Sequence, residues 1–273
     1  MSIGKSLLKM RATAVVLLAL FASAPGRAQS SPAQAVMESR LNLPQLVDKL
    51  VTKNLERADA LQKYQGRRTY TLSYSGLPLS LHAEMVVDMT FDAPATKQFK
   101  IVSQSGPQWL VDRVLKRLLE TEQEASSEEN RGRVALNSTN YDFSDLARQN
   151  TPQDSCSYKV AVEPKVPSKL LYRGHIWVDS KDFAVCKIEA EPAKNPSFWI
   201  KKTDIHHSYI KIGDFWLPSE NQSVSEIRGG GHAILTIKYQ NYEILAARSL
   251  RGSDLASSSS SFALTEHPNE LGK

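Results

Sequence analysis

Residues Leu79 to Phe91 alternate without a break, with Leu79, Leu81, Ala83, Met85, Val87, Met89 and Phe91 set against Ser80, His82, Glu84, Val86, Asp88 and Thr90. Successive side chains in a strand point to opposite faces, so this pattern is a half-buried antiparallel strand. A chain that carries it must supply an apolar layer for one face of a sheet. Pro94 ends the strand, and Lys97 to Ser105 reads as its hairpin partner.

Two amphipathic helices are candidates for that layer. From Asn42 to about Tyr64, Leu43, Val47, Leu50, Val51, Leu55, Ala58 and Leu61 recur at three- and four-residue steps. Asn42 with Gln45 three residues on forms a capping box, and Pro44 suits the first turn. Gly106-Pro107 opens the second helix, whose stripe runs from Trp109 through Leu110, Val111, Val114, Leu115 and Leu118 to Leu119. It is expected to fade in the polar stretch Glu120–Asn130, with a short helical turn near Arg133–Leu136 and a loop over "NSTNYDFSDL".

The second half reads as six strands joined by short turns: Cys156–Pro164, Lys169–Asp179, Phe183–Glu191, Ser197–Ile212, Asp214–Ile227 and His232–Ile244. Long strands with short connections make an up-and-down antiparallel meander. The run Gly229-Gly230-Gly231 suits its last hairpin. The economical packing of these parts is α+β, a curved antiparallel sheet (an open half-barrel) with amphipathic helices across its concave face. The expected organisation is a signal peptide at 1–28, a flexible segment at 29–41, one domain at 42–245 and a disordered Ser-rich tail at 246–273.

The signal peptide follows from Lys5, Lys9 and Arg11, the 13-residue apolar run Ala12–Ala24 and the triplet Gly26-Arg27-Ala28. The run is short of the roughly 20 residues a spanning helix needs. Cleavage after Ala28 takes four cations from a formal net charge of +5 and leaves +1, so the exported chain carries no basic signature of nucleic-acid binding. No cysteine lies near the cleavage site, which excludes a lipid-anchored lipoprotein. The two cysteines, Cys156 and Cys186, fall two strands apart in the simple meander, roughly 10 Å against the 7 Å limit for a disulfide. Cys186, flanked on its face by Ala184 and Ile188, is therefore expected to be a core thiol.

Catalytic signatures are missing. His206 and His207 are adjacent in a strand and face opposite ways, so they do not chelate one ion together. There is no H-E-x-x-H and no G-x-S-x-G. The glycines of "RGGGH" lie between two strands and lack the Lys-Ser/Thr of a phosphate loop. Neither an enzyme, a metal nor a cofactor is expected.

The order of signal peptide, helix, "MVVDMTFDAPATKQFKIVSQSG", helix, "YRGHIWVD" and "GDFWLP" resembles the LolA-like superfamily of periplasmic proteins. Its closest likeness is to outer-membrane lipoprotein-sorting-like proteins, and it covers about Asn42 to Ile244. The resemblance implies an apolar cavity between helices and sheet that takes acyl chains. Met85, Met89, Phe99, Trp109, Phe215 and Leu217 are the candidate lining residues, methionine being favoured where a wall adapts to varied chains. The function implied is a non-enzymatic periplasmic carrier of acyl chains or lipidated peptides in a Gram-negative bacterium, with a lipid or lipoprotein as its partner. The alternative is an envelope-stress or envelope-assembly regulatory domain that binds an envelope protein.

Overall fold

The computed structural model describes residues 41–149 and 156–250. Helix α1 (Leu43–Ala60) begins at the expected capping box, in which Gln45 N–H donates to Asn42 Oδ1 at 3.0 Å and Asn42 N–H to Gln45 Oε1 at 3.1 Å. It stops at Ala60, where Leu61 turns extended and starts a strand.

Ten antiparallel strands follow: β1 (Leu61–Ser75), β2 (Ser80–Asp92), β3 (Thr96–Ser105), β4 (Tyr141–Arg148), β5 (Tyr158–Pro164), β6 (Tyr172–Val178), β7 (Val185–Pro192), β8 (Ile200–Ile212), β9 (Phe215–Ile227) and β10 (His232–Ala247). They form one sheet in the order β3-β2-β1-β10-β9-β8-β7-β6-β5-β4. The first strand therefore lies against the last, and β3 and β4 are free edges, so the sheet is an open half-barrel. Register shifts at Gln65/Arg67, Val86/Val87, Trp177/Val178 and Ser208/Tyr209 mark bulges, which bend strands and steepen the twist.

Between β3 and β4 the chain is helical. Helix α2 covers residues 108–126, with a π-helical segment Val111–Leu115 between α-helical Gln108–Leu110 and Lys116–Ser126. Helix α3 (Glu128–Val134) follows after Ser127.

Several expectations need correction. The first helix was expected to run to about Tyr64, but Leu61, Tyr64, Arg68, Tyr70 and Leu72 belong to β1, paired on both sides. The second helix does not fade at Glu120 but continues to Ser126. The expected loop over "NSTNYDFSDL" contains β4, which makes the meander seven strands long; Asp145 at φ 54° and a register shift between Ser144 and Ala147 break its alternation. Strand β10 runs to Ala247, two residues past the expected domain end at 245, and Arg248 N–H donates to Ala60 O at 2.8 Å. The expected signal peptide, the segment to residue 40 and the tail from 251 lie outside the described residues.

The cysteines also depart from expectation, since Cys156 and Cys186 are disulfide-bonded with Cα atoms 6.2 Å apart. Cys156 precedes β5 and is not held to its ladder. Strand β6 ends at Val178, beside a bulge, so the chain before β5 passes its end and reaches β7.

Apolar side chains on the inner face form three clusters. Leu46 and Leu50 of α1 pack with Tyr141, Val160, Ile176, Val178 and Ile188. Leu110, Val111, Leu115 and Leu119 of α2 pack on Tyr70, Leu72, Ala83, Met85 and Val87. Ala60, Tyr64, Met89, Phe215 and Leu217 form the third. Burying a Leu, Val or Phe contributes about 1.5–3 kcal/mol each, so these contacts hold the helices on the sheet.

Candidate functional site: a hollow beneath the first helix

Helix α1 is packed down at Leu46, Val47 and Leu50 and again at Ala60, with polar Asn54 and Arg57 between them on the same side. Leu55, on the flank of the helix away from Leu46 and Leu50, is 67% exposed. Beneath the C-terminal half of α1 lies a hollow of about 540 Å³, walled by Asn54, Arg57 and Ala58 of α1, Leu136 after α3, and Tyr172, Ile188, His207, Tyr209 and Phe215 of the sheet. A second hollow of about 780 Å³ lies on the other flank of α1, lined by Val51, Leu55, Ala58, Pro94 and Leu136 among others. The two share Asn54, Ala58, Val134 and Leu136. Each is within the range of about 300–1,000 Å³ usual for small-molecule sites.

Polar contacts hold the C-terminal half of α1 over this space. The Arg57 guanidinium donates to Asp182 O at 2.8 Å, Phe183 O at 3.2 Å and Asn54 Oδ1 at 2.7 Å, which ties α1 to the β6–β7 turn. Burial lowers the pKa of Arg57, against the pull of Asp182 and Glu56. The Asp182 carboxylate accepts from Trp216 Nε1 at 2.8 Å and pairs with Lys211 Nζ at 2.5 Å. Burial pushes this carboxyl up, but Lys211 and Trp216 outweigh it and hold it below its ordinary value. Within "KIGDFWLP", then, Lys211 and Trp216 support the clamp while Phe215 and Leu217 are buried in the apolar core.

A second polar cluster pins α2. Arg68, 3% exposed, donates from Nη1 to Glu122 Oε2 at 2.5 Å and to Tyr70 Oη at 3.3 Å. Lys97 Nζ meets the other Glu122 oxygen at 2.7 Å. The guanidinium lies over the rings of Tyr239 (4.9 Å) and Phe99 (5.4 Å). Burial works against both charges, yet the pairing wins: the Arg68 pKa is raised by Glu122, and the Glu122 carboxyl is held down by Lys97 and Arg68. The cluster ties α2 to β1 and β3, whereas Arg57 ties α1 to the β6–β7 turn, so each helix has its own attachment.

His207 borders the hollow and stacks on Tyr209 with ring centroids 4.6 Å apart. Its Nε2 is buried with no hydrogen-bond partner among the described residues, and burial pushes its pKa down to about 4. His207 is thus neutral near pH 7. Its neighbour His206 is exposed.

Of the residues expected to line a cavity, Met85 (0% exposed) lies under α2, while Met89, Phe215 and Leu217 (1%, 6% and 5%) share the third apolar cluster. Phe99 is partly buried between those two groups. Phe215 alone of the six borders the hollow beneath α1. Trp109, in the first turn of α2, is 52% exposed. Sequence reasoning missed Arg57, Arg68, Glu122 and Tyr209. The available signal was Arg68 in the alternating row Tyr64, Arg68, Tyr70, Leu72, where a cation on an apolar face calls for a buried partner.

No protein-family profile and no curated protein matches the chain. Solved structures similar to it include a DUF1329 family protein from Desulfovibrio piger, at 14% identity and a TM-score of 0.39 over 75% of this chain and 93% of that one. A LolA superfamily protein from Nitrosomonas europaea is similar at 12% identity and a TM-score of 0.33, over 74% of this chain and 94% of that one. A putative outer membrane lipoprotein-sorting protein domain from Vibrio parahaemolyticus is similar at 10% and 0.34, over 73% and 92%. TM-scores this low add nothing about the hollow, which rests on this chain's own geometry.

Proposed function

We propose that this protein is a non-enzymatic, exported binding protein that carries an acyl chain or a lipidated peptide in the hollow beneath α1. The observation that carries the reading is the hollow left between the C-terminal half of α1 and the sheet. Here Asn54, Arg57 and Ala58 stand over space walled by Tyr172, Ile188, Tyr209 and Phe215, and the exposed Leu55 borders the second hollow on the other flank. An aliphatic chain entering there would cover apolar surface on both helix and sheet, at about 25 cal/mol for each Å² removed from water. The polar groups at the wall are largely committed to one another or held neutral, so the site offers apolar contact. Met85, Met89 and Phe99 are proposed as adaptable lining that can yield when a longer chain enters, and Trp109 as a residue at its margin.

Export to the periplasm of a Gram-negative bacterium is part of the same proposal, with cleavage after Ala28; N-terminal sequencing of the exported protein should begin at Gln29. The reading is tested by purifying the exported protein without detergent, extracting it with organic solvent and identifying co-purified lipids by mass spectrometry. Acyl lipid at a fixed ratio to protein is expected. Capture of one envelope protein with no lipid would overturn the carrier reading in favour of a partner-binding regulatory domain.

A further inference from the structure

The ladder registers place four connections at one end of the half-barrel. Ser75 pairs with both Ser80 and His232, Ile227 with Ile200, and Pro192 with Tyr172. The turns 76–79, 165–171, 193–199 and 228–231 therefore share one rim. Of thirteen exposed large hydrophobic side chains among the described residues, six are on these turns: Leu77 (100% exposed), Leu79 (50%), Val166 (74%), Leu170 (44%), Phe198 (72%) and Trp199 (65%). At the other end, the turns 93–95, 179–184 and 213–214 carry none. Six exposed large side chains on four neighbouring turns are a cluster and not the scatter of single residues normal on soluble proteins.

The charge of the rim is equally one-sided. The four turns contain Lys165, Lys169, Lys194 and Arg228 and no acid. Acids on the adjoining strands are already paired, Glu226 with Lys201 at 3.0 Å, Asp204 with Lys202 at 2.7 Å and Glu191 with Arg173 at 3.3 Å. Phe198 and Trp199 stand at the middle of the rim with ring centroids 5.6 Å apart, and the Arg228 guanidinium lies over Phe198 at 4.8 Å. Hydrogen bonds hold the tips in place: Arg228 N–H donates to Trp199 O at 2.8 Å, Gly76 N–H to Leu79 O at 3.1 Å, and Tyr74 Oη to Gly230 O at 3.0 Å. The Gly229–Gly231 turn has φ of +96°, +113° and +88°, which glycine alone adopts without strain.

We infer that this rim is a docking surface for an anionic lipid bilayer. Trp and Phe side chains favour the interface between headgroups and acyl chains, Leu77, Leu79, Val166 and Leu170 add apolar area on either side, and the cations meet lipid phosphates. Of the four rim cations Lys165 is paired, with Asp142 at 3.8 Å, while Lys169, Lys194 and Arg228 back the apolar tips without an acid partner among the described residues. The walls of the hollow beneath α1 include Leu61, Phe215 and Trp216, which lie toward the other end of the sheet, so attachment through the rim would leave that hollow uncovered.

The test is flotation of the exported protein with vesicles of phosphatidylcholine alone and of phosphatidylcholine with phosphatidylglycerol. Binding to the anionic vesicles, weakened by salt, is expected. Phe198→Ser with Trp199→Ser should reduce partitioning about tenfold or more, since two large interfacial side chains are lost. Lys169→Glu with Lys194→Glu should reduce it at least about fivefold per cation on anionic vesicles and leave neutral vesicles unaffected. Trp199 fluorescence should be quenched by brominated lipid, which reports insertion directly. All four sites are exposed, so melting curves should be unchanged. Absence of flotation with anionic vesicles, or flotation that survives the Phe198 and Trp199 changes, would overturn the inference. Acyl-probe uptake in the hollow should survive the rim variants, so failure here is distinguishable from failure of the carrier reading.

Discussion

Replacing Arg68 by Met keeps most of the side-chain length but removes the cation between α2 and the sheet. Removing one partner of a buried ion pair typically costs about 3–5 kcal/mol, because the other charge is left in a poor medium. Glu122 is less isolated than that: its side chain is 29% exposed and Lys97 still holds one oxygen at 2.7 Å. The cost falls at or below the bottom of that range, and a loss of about 2–3 kcal/mol is expected, including the cation–π contacts to Tyr239 and Phe99. For a domain of this size, that lowers the melting midpoint by about 5–10 °C. Urea unfolding at neutral pH measures it, and a cycle with Glu122→Gln isolates the pair. The two changes should couple by about 1–2 kcal/mol, the double variant losing clearly less than the sum. A single-variant cost below about 0.5 kcal/mol, or strict additivity, would refute the claim that this pair pins α2.

His207 makes the fold acid-sensitive. Its folded pKa, near 4, lies below its unfolded value, so the unfolded chain binds the extra proton and stability falls as pH drops from about 6.5 toward 4. The upper bound on the loss at pH 5 is about 2 kcal/mol, and His207→Phe should flatten that part of a pH series of denaturant melts; an unchanged slope would contradict burial as its cause. Breaking the Cys156–Cys186 bond, which closes a separation of 30 residues, should cost about 3–4 kcal/mol by chain entropy, read as a lower urea midpoint in reductant or in the double Ser variant. Phe215→Ala should cost about 3 kcal/mol, because the ring is packed against the third apolar cluster while one side borders the hollow. An effect under about 1 kcal/mol in the same melts would mean the ring carries no core packing.

The parts of this fold that follow a single periodicity were legible in the sequence. Strand β2 alternates without interruption, and α1 announces its start through Asn42 and Gln45. Strand β1 was hidden for two physical reasons. The helical spacing of α1 runs on through Leu61, and Arg68 places a cation on the buried face, which periodicity reads as a break. Strand β4 was hidden by its bulge at Asp145. The disulfide depended on how far the chain before β5 departs from its ladder, a tertiary quantity with no sequence period. Of the candidate site, the alternation around Phe215 and Leu217 was readable. Arg57 and Glu122 were not, because each takes its role from a partner 54 or more residues away, and Arg68 was signalled only as a cation on an apolar face, without its partner.

The central claim is that the hollow beneath α1 receives an acyl chain, and titration of a fluorescent fatty-acyl probe tests it most directly, with Leu136→Trp as the blocked variant. Leu136 is partly buried and borders both hollows, so an indole there fills space without emptying the core. Saturable uptake by the unaltered protein, displaced by unlabelled fatty acid and lost in Leu136→Trp with its melting midpoint retained, is the predicted result. No saturable uptake, or uptake that the indole leaves unchanged, would contradict it.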